Sequence, residues 1–183
     1  MDVLQVNFVG SRDGEWIVTD IHTLCGEALA PVAAISRFVD FAPALQPDDW
    51  MLRSFTSNLR YTTASEARRL AERQQGLGRP ASTCGALIPI RKTGAWWALP
   101  QDQRRAIYEE RSRHTSIGMD YLPRIARKLH HCRDLGEPFD FLTWFEFAPE
   151  DSAAFDELVG RLRETEEWDY IDREIDIRLV HAG

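Results

Sequence analysis

Apolar and polar positions alternate most regularly near the carboxy end of the chain. Phe139, Phe141, Phe145 and Phe147 alternate with Asp140 and Glu146, the period-two signature of a strand with one aromatic face. A final strand is equally regular: Ile171, Ile175, Ile177 and Leu179 face one way, and Asp172, Glu174, Asp176 and Arg178 the other. Between the two strands, Pro149, Glu150 and Asp151 open a helix with acids at its positive end. Phe155, Leu158, Val159 and Leu162 form the buried stripe of that helix. Upstream, the spacing predicts a helix from about Gln101 to Gly118, with Ile107, His114 and Ile117 on one face, so His114 turns inward. A second helix is expected from Asp120, a good N-cap with Pro123 in the first turn, to Cys132 or Arg133 before the LGEP turn.

The amino-terminal half is patterned more weakly. Leu4, Val6 and Phe8 mark a strand, GSRDGE a turn, and Trp16 to Ile21 a second strand, so the chain is expected to open with a hairpin. AAISRFVD after Pro31 reads as a short amphipathic helix, and a strand begins near Trp50. Ser65 to Gln75 favours a helix that ends at Gly76 and Gly78. ALIPIRK reads as a strand in which Pro89 points to an edge or a bulge. Two successive sets of antiparallel strands, each with one face to be covered by helices, make this an α+β chain of two ferredoxin-like halves.

Composition narrows the function. The 183 residues fit a single domain, and the net charge of -7 argues against nucleic acid, whose phosphates need clustered cations. A small molecule or another protein is the expected partner. Arg124, Arg127 and Lys128 are the richest local cluster of cations, available either to an anion or as a solvated face. Cys25, Cys84 and Cys132 are isolated and form neither CxxC nor CxxCH. No apolar run approaches the ~20 residues of a membrane span, and MDVLQVNFVGSRDGEW lacks the basic and apolar regions of a signal, which leads to a cytoplasmic expectation. There is no glycine-rich phosphate loop and no metalloprotease helix motif.

Two candidate residues have competing readings on their own terms. An inward histidine such as His114 is more often a hydrogen-bonded core residue than a ligand. On a helical wheel Leu122, Ile125 and Leu129 define an apolar stripe, and Arg127 lies nearly opposite it, toward solvent. The run His130, His131, Cys132 is a poor metal site on a helix, because neighbouring residues diverge by about 100°.

The run from Arg111 to Asp151, RSRHTSIGMDYLPRIARKLHHCRDLGEPFDFLTWFEFAPED, resembles the heme-binding half of a chlorite dismutase. IPIRK and the WW pair upstream, and TEEW and DIRL downstream, are similar to the short, dimeric branch of that family. The resemblance is strong over the last hundred residues or so and weaker before them. It implies a dimeric α+β barrel of two ferredoxin-like halves, a reduced amino-terminal one over about 1–95 and a heme-binding one over about 96–183, assembled as a homodimer. It also implies a noncovalent heme b with His114 as the iron ligand and Glu167, or its neighbour Glu166, as the acidic partner of the other ring nitrogen. Arg127 would be the distal residue that manages the chlorite anion and confines hypochlorite, and Gln74 would hydrogen-bond that arginine. Lys92 and Trp96 would meet the heme propionates, with Tyr61 of NLRYTT a further candidate. The implied activity is conversion of chlorite to chloride and dioxygen, with the O–O bond formed at a His-ligated ferric heme. A heme-binding sensor or peroxidase, a coproheme decarboxylase on the same fold, and a heme-free ferredoxin-like dimer are the alternatives. Decarboxylases carry a longer amino-terminal half and lack this arginine.

Overall fold

Eight antiparallel strands close on themselves in the order β1-β3-β2-β8-β5-β7-β6-β4. The structure is a computed structural model that describes residues 3–56 and 62–183. The strands are β1 (Gln5–Ser11), β2 (Trp16–Cys25), β3 (Ala34–Val39), β4 (Trp50–Thr56), β5 (Cys84–Lys92), β6 (Ala126–His131), β7 (Phe141–Phe147) and β8 (Ile171–His181). Helices α1 (Ala64–Arg73), α2 (Gly94–Ala98), α3 (Gln101–Arg105), α4 (His114–Asp120) and α5 (Ser152–Arg163) complete the α+β fold. No helix among the described residues is long and apolar enough to cross a membrane.

The barrel interior is filled by side chains, as expected for eight strands. Phe8, Leu87, Leu142, Trp144, Ile175 and Ile177 are all fully buried and belong to one cluster. The Ile175, Ile177 and Leu179 face of β8 therefore points inward as its alternation predicts. The opposite face is not solvated, however. Glu174 and Asp176 are buried under α5, where Arg163 bridges both carboxylates at 2.8 Å. On the other side of β7, Phe145 and Phe147 meet Phe155, Leu158, Val159 and Leu162 of α5, the stripe expected from its spacing.

Four local expectations fail, and each fails where strand pairing overrides local pattern. There is no opening hairpin, because β1 runs between β3 and β4 and β2 lies beyond β3. The AAISRFVD segment is strand β3, hydrogen-bonded along β1 from Ala34 to Val39; six residues are too few for helical periodicity to be decisive. Pro89 is at no edge, since β5 is flanked by β8 and β7; the β5–β8 register skips Ile88 and Pro89 and shifts between Arg91 and Lys92. The helix expected from Asp120 ends there, and Ala126 to His131 form strand β6, paired with β7 over its whole length.

The helix predicted from Gln101 to Gly118 is also divided. After α3 the chain widens into a π-helical turn (Ala106–Arg111), and Arg113 adopts a left-handed conformation with φ 54°. The chain then restarts as α4 with His114 as its first residue. Glu109 caps that restart, its carboxylate accepting from the Thr115 N–H and the Ser116 hydroxyl, both at 2.7 Å.

A candidate functional cleft

The outer face of β8, β5, β7 and β6 and the helices above it enclose a cleft of about 330 Å³. Period-two geometry sends Ile88, Ile90 and Lys92 of β5, Phe141, Thr143 and Phe145 of β7, and Arg127, Leu129 and His131 of β6 into it. From above come Leu70 and Gln74 near α1, Trp96 of α2, Tyr108 and His114, Val159 and Leu162 of α5, and Glu167 and Trp168.

His114 and Glu167 meet as anticipated. Nδ1 of His114 lies 2.6 Å from one carboxylate oxygen of Glu167, whose other oxygen accepts from the Lys92 ammonium at 2.7 Å. Glu167 is fixed further by its own N–H, which donates to the Ser112 hydroxyl at 2.9 Å. Glu166 is not the partner, since it pairs with Arg111 at 3.2 Å. Burial would raise the Glu167 carboxyl, but the His114 and Lys92 charges and their hydrogen bonds outweigh it and hold the group down to about 2. The imidazole stacks on Tyr108 with ring centroids 4.6 Å apart and lies nearly parallel to Trp168 at 6.2 Å. Its Nε2 has no hydrogen-bond partner among the described residues.

Lys92 does not stand at the cleft mouth. Its ammonium is buried against Glu167 and lies 4.4 Å from the centroid of the Trp96 ring, a cation–π contact inside the protein. Tyr61 lies outside the described residues.

The strand geometry of β6 removes the conflict over Arg127. A helical wheel does not apply, and alternation places Arg127 with Leu129 and His131 on the cleft face. His130 points into the barrel against Phe8, where burial lowers its pKa to about 4. The strand thus separates the two histidines by alternation, not by the helical divergence expected from sequence. The Arg127 guanidinium lies against Gly118 of α4 and has no carboxylate at ion-pair distance among the described residues. Burial lowers its pKa from the usual arginine value, against the opposing influence of Tyr108 and Glu109. Gln74 does reach Arg127, but its amide donates to the backbone carbonyl at 2.6 Å and not to the side chain. Of the other cations in that cluster, Arg124 is exposed near Asp151, and Lys128 borders the cleft.

Tyr108, Trp168 and Gly118 were not anticipated as site residues. Burial raises the Tyr108 hydroxyl to about 12, aided by the Glu167 charge. Nothing in local sequence marks Tyr108, since it reaches His114 only because the π turn and the left-handed Arg113 fold six residues back on themselves.

A family model for chlorite dismutase matches residues 6–181. The fold superposes on a crystal structure of dimeric chlorite dismutases from Nitrobacter winogradskyi with a TM-score of 0.89. That match has 49% sequence identity and covers 96% of this chain and 99% of the other. Chlorite dismutase from Candidatus Nitrospira defluvii in complex with imidazole shares the fold at 21% identity, with a TM-score of 0.64, covering 97% of this chain and 90% of that one. A chlorite dismutase from Ideonella dechloratans is 34% identical over 84 residues, a match covering 46% of this chain and 27% of that longer protein. With nearly its whole length matched by the family model, the chain belongs to the chlorite dismutase family.

Proposed function

We propose that the protein is a heme b enzyme that converts chlorite to chloride and dioxygen, and that it acts as a homodimer. One observation carries this reading. One apolar cleft presents a histidine whose Nδ1 is engaged by a buried carboxylate, together with an arginine; among the described residues the histidine's Nε2 has no hydrogen-bond partner and the arginine no carboxylate at ion-pair distance. Heme iron is commonly held by such a histidine, and the second nitrogen needs a partner to orient the ring. The lining from Ile88, Ile90, Phe141, Phe145, Val159 and Leu162 suits the flat apolar body of a heme. Absence of a CxxCH run suits noncovalent attachment. The 49% identical dimeric chlorite dismutases support both the chemistry and the assembly.

When bound, held by His114, a heme would supply the iron redox chemistry that chlorite conversion needs. The protein does the rest by positioning. Glu167 holds the proton of His114 at Nδ1, which leaves Nε2 as the lone-pair donor and strengthens it. Lys92 balances the charge of Glu167 in the absence of water, so its role is to orient this pair and not to receive a propionate. Tyr108 and Trp168 fix the plane of the ring. Arg127 draws chlorite into the cleft and directs its N–H groups at the oxyanion; even with its pKa lowered by burial, a guanidinium stays protonated. Both oxygens of one chlorite leave together as dioxygen, so the oxychlorine species must be kept in the cleft until the products form. Arg127 and the apolar walls hold it there. Gln74 fixes the strand beneath Arg127 through its carbonyl.

The same reading assigns the two halves. The orders β4-β1-β3-β2 and β8-β5-β7-β6 are the same when each half is counted from its first strand, which supports two ferredoxin-like sheets joined edge to edge. In this assignment β5 belongs with the second half, so the divide falls within 74–83, ahead of the boundary near residue 95 expected from sequence.

The test is dioxygen release, followed with an oxygen electrode, when chlorite is added to the heme-loaded protein, with free heme as the control. One dioxygen per chlorite is the expected yield, as the atom balance requires. A His-ligated spectrum that His114→Ala abolishes, without oxygen release by the parent, would keep the cofactor and overturn the activity. A spectrum indifferent to His114→Ala would overturn the ligand.

A further inference from the structure

We propose that Glu174 is a positioning residue for His114, acting on the histidine through the indole of Trp168. The inference rests on the reading of His114 as the iron ligand. Glu174 stands on the polar face of β8, yet it is only 2% exposed. Its two carboxylate oxygens serve different partners: one accepts from Nε of Arg163 and the other from Nε1 of Trp168, each at 2.8 Å. The Trp168 ring in turn lies within 21° of parallel to the His114 imidazole, with centroids 6.2 Å apart.

Two successive residues of the TEEW run therefore reach His114, and each is anchored in a different strand. Glu167 engages Nδ1 and is held by Lys92 of β5, whereas Trp168 flanks the ring and is held by Glu174 of β8. A hydrogen bond at one nitrogen leaves an imidazole free to turn about the N–H···O line. A flat ring fixed beside it limits that turn, and a charge-assisted bond to a buried carboxylate fixes the indole. The docking of α5 does not call for the second oxygen of Glu174, since Arg163 also donates to Asp176 at 2.8 Å. That oxygen is left to Trp168.

The experiment is Glu174→Gln. A glutamine offers one acceptor oxygen where both neighbours are donors, and the charged Arg163 should keep it. In the heme-free protein, proton–nitrogen NMR follows the Trp168 indole, identified by its loss in Trp168→Phe, and the His114 ring, identified by its loss in His114→Ala. The indole signal should move upfield and exchange with water about tenfold faster or more, the worth of one charge-assisted hydrogen bond, and the His114 signal should broaden. In the heme-loaded ferrous protein, the iron–imidazole stretch in the resonance Raman spectrum should fall in frequency and broaden. In a Trp168→Phe background Glu174→Gln should change neither His114 readout. Glu174→Asp keeps the charge beside Arg163 but draws the carboxylate back from the indole, so it should give the same shifts if the glutamine variant fails to fold. An unmoved Trp168 signal, His114 readouts that stay fixed while the Trp168 signal moves, or an equal change without Trp168 overturns the proposal. The heme-free signals report whether or not His114 binds iron, so failure of the ligand reading is distinguishable from failure of this link.

Discussion

Glu167→Gln isolates the charge that the proximal side of the cleft is built around. The Glu167 side chain is 5% exposed and that of Lys92 2%, so removing the carboxylate strands an ammonium where water cannot reach it. Breaking a buried pair from one side costs about 3–5 kcal/mol. The depressed carboxyl gives a second figure for the same pair. A carboxyl held at about 2 against an ordinary 4.5 contributes about 3 kcal/mol at neutral pH. The sign follows from the depressed value: the contribution is full above pH ~4.5, where the unfolded chain is also ionised, and is lost as pH falls toward 2. Urea unfolding of the heme-free proteins at a series of pH values is the assay. The gap between parent and Glu167→Gln should be about 3 kcal/mol at pH 7, begin to close below pH ~4.5 and become small near pH 2. Adding Lys92→Met should recover most of the loss, because both charges are then gone. A gap that stays constant from pH 7 to 3, or that widens as pH falls, would refute the electrostatic account and leave only a packing change.

Arg127→Ala should retain the heme spectrum yet lower oxygen release about 10–100-fold and hasten loss of the Soret band during turnover, as oxidant escapes; unchanged yield would remove Arg127 from the mechanism. Tyr108→Phe should delete a tyrosine ionisation that burial holds up to about 12, as read in an absorbance titration. The raised value makes its contribution full below the unfolded value of about 10 and lost as pH rises through 12, so the alkaline limb of the parent's stability profile should flatten in the variant. Helix α1 has no buried residue and is tied by Glu66 to Arg105 and by Gln74 to Arg127, so its amides should exchange faster than those of β5 and β7. Heme loading should slow them, because Leu70 then gains apolar contact.

The parts of the fold that were legible in the sequence are those whose pattern and packing agree. The alternation in β8 is honoured because Ile175, Ile177 and Leu179 fill the barrel interior, and the stripe of α5 because it packs on Phe145 and Phe147. Leu122, Ile125 and Leu129 mimic a helix, but Leu122 and Ile125 lie outside β6 while Leu129 is on it, on the cleft face. Their spacing comes from a turn followed by a strand. Local periodicity cannot see that β7 offers a complete row of partners to Ala126–His131. His114 and Glu167 were legible as a pair only through the family resemblance, since 53 residues separate them. The place of Lys92 was not, because a buried ammonium and a surface one look alike in sequence.

Strands β1 to β4 and strands β5 to β8 follow the same order around the one closed barrel, and among the described residues only the second set lines the cleft. β1 and β2 are joined by 12–15 and β3 and β4 by 40–49, neither containing a helix, so these strands have no helical crossover to stand off their outer face. Strands β5 to β8 carry two crossovers, α2 to α4 between β5 and β6 and α5 between β7 and β8. A helix packed directly on a sheet would leave no room. Here the π turn and left-handed Arg113 interrupt the first crossover just before His114, whose ring meets Glu167 on the same side of the cleft. The barrel interior cannot substitute, since Trp144, Phe8 and Leu142 occupy it completely. A ligand as broad as a heme is therefore confined to the one face where irregular helices hold the layers apart, between the residue that would bind its iron and the one that would meet its anion.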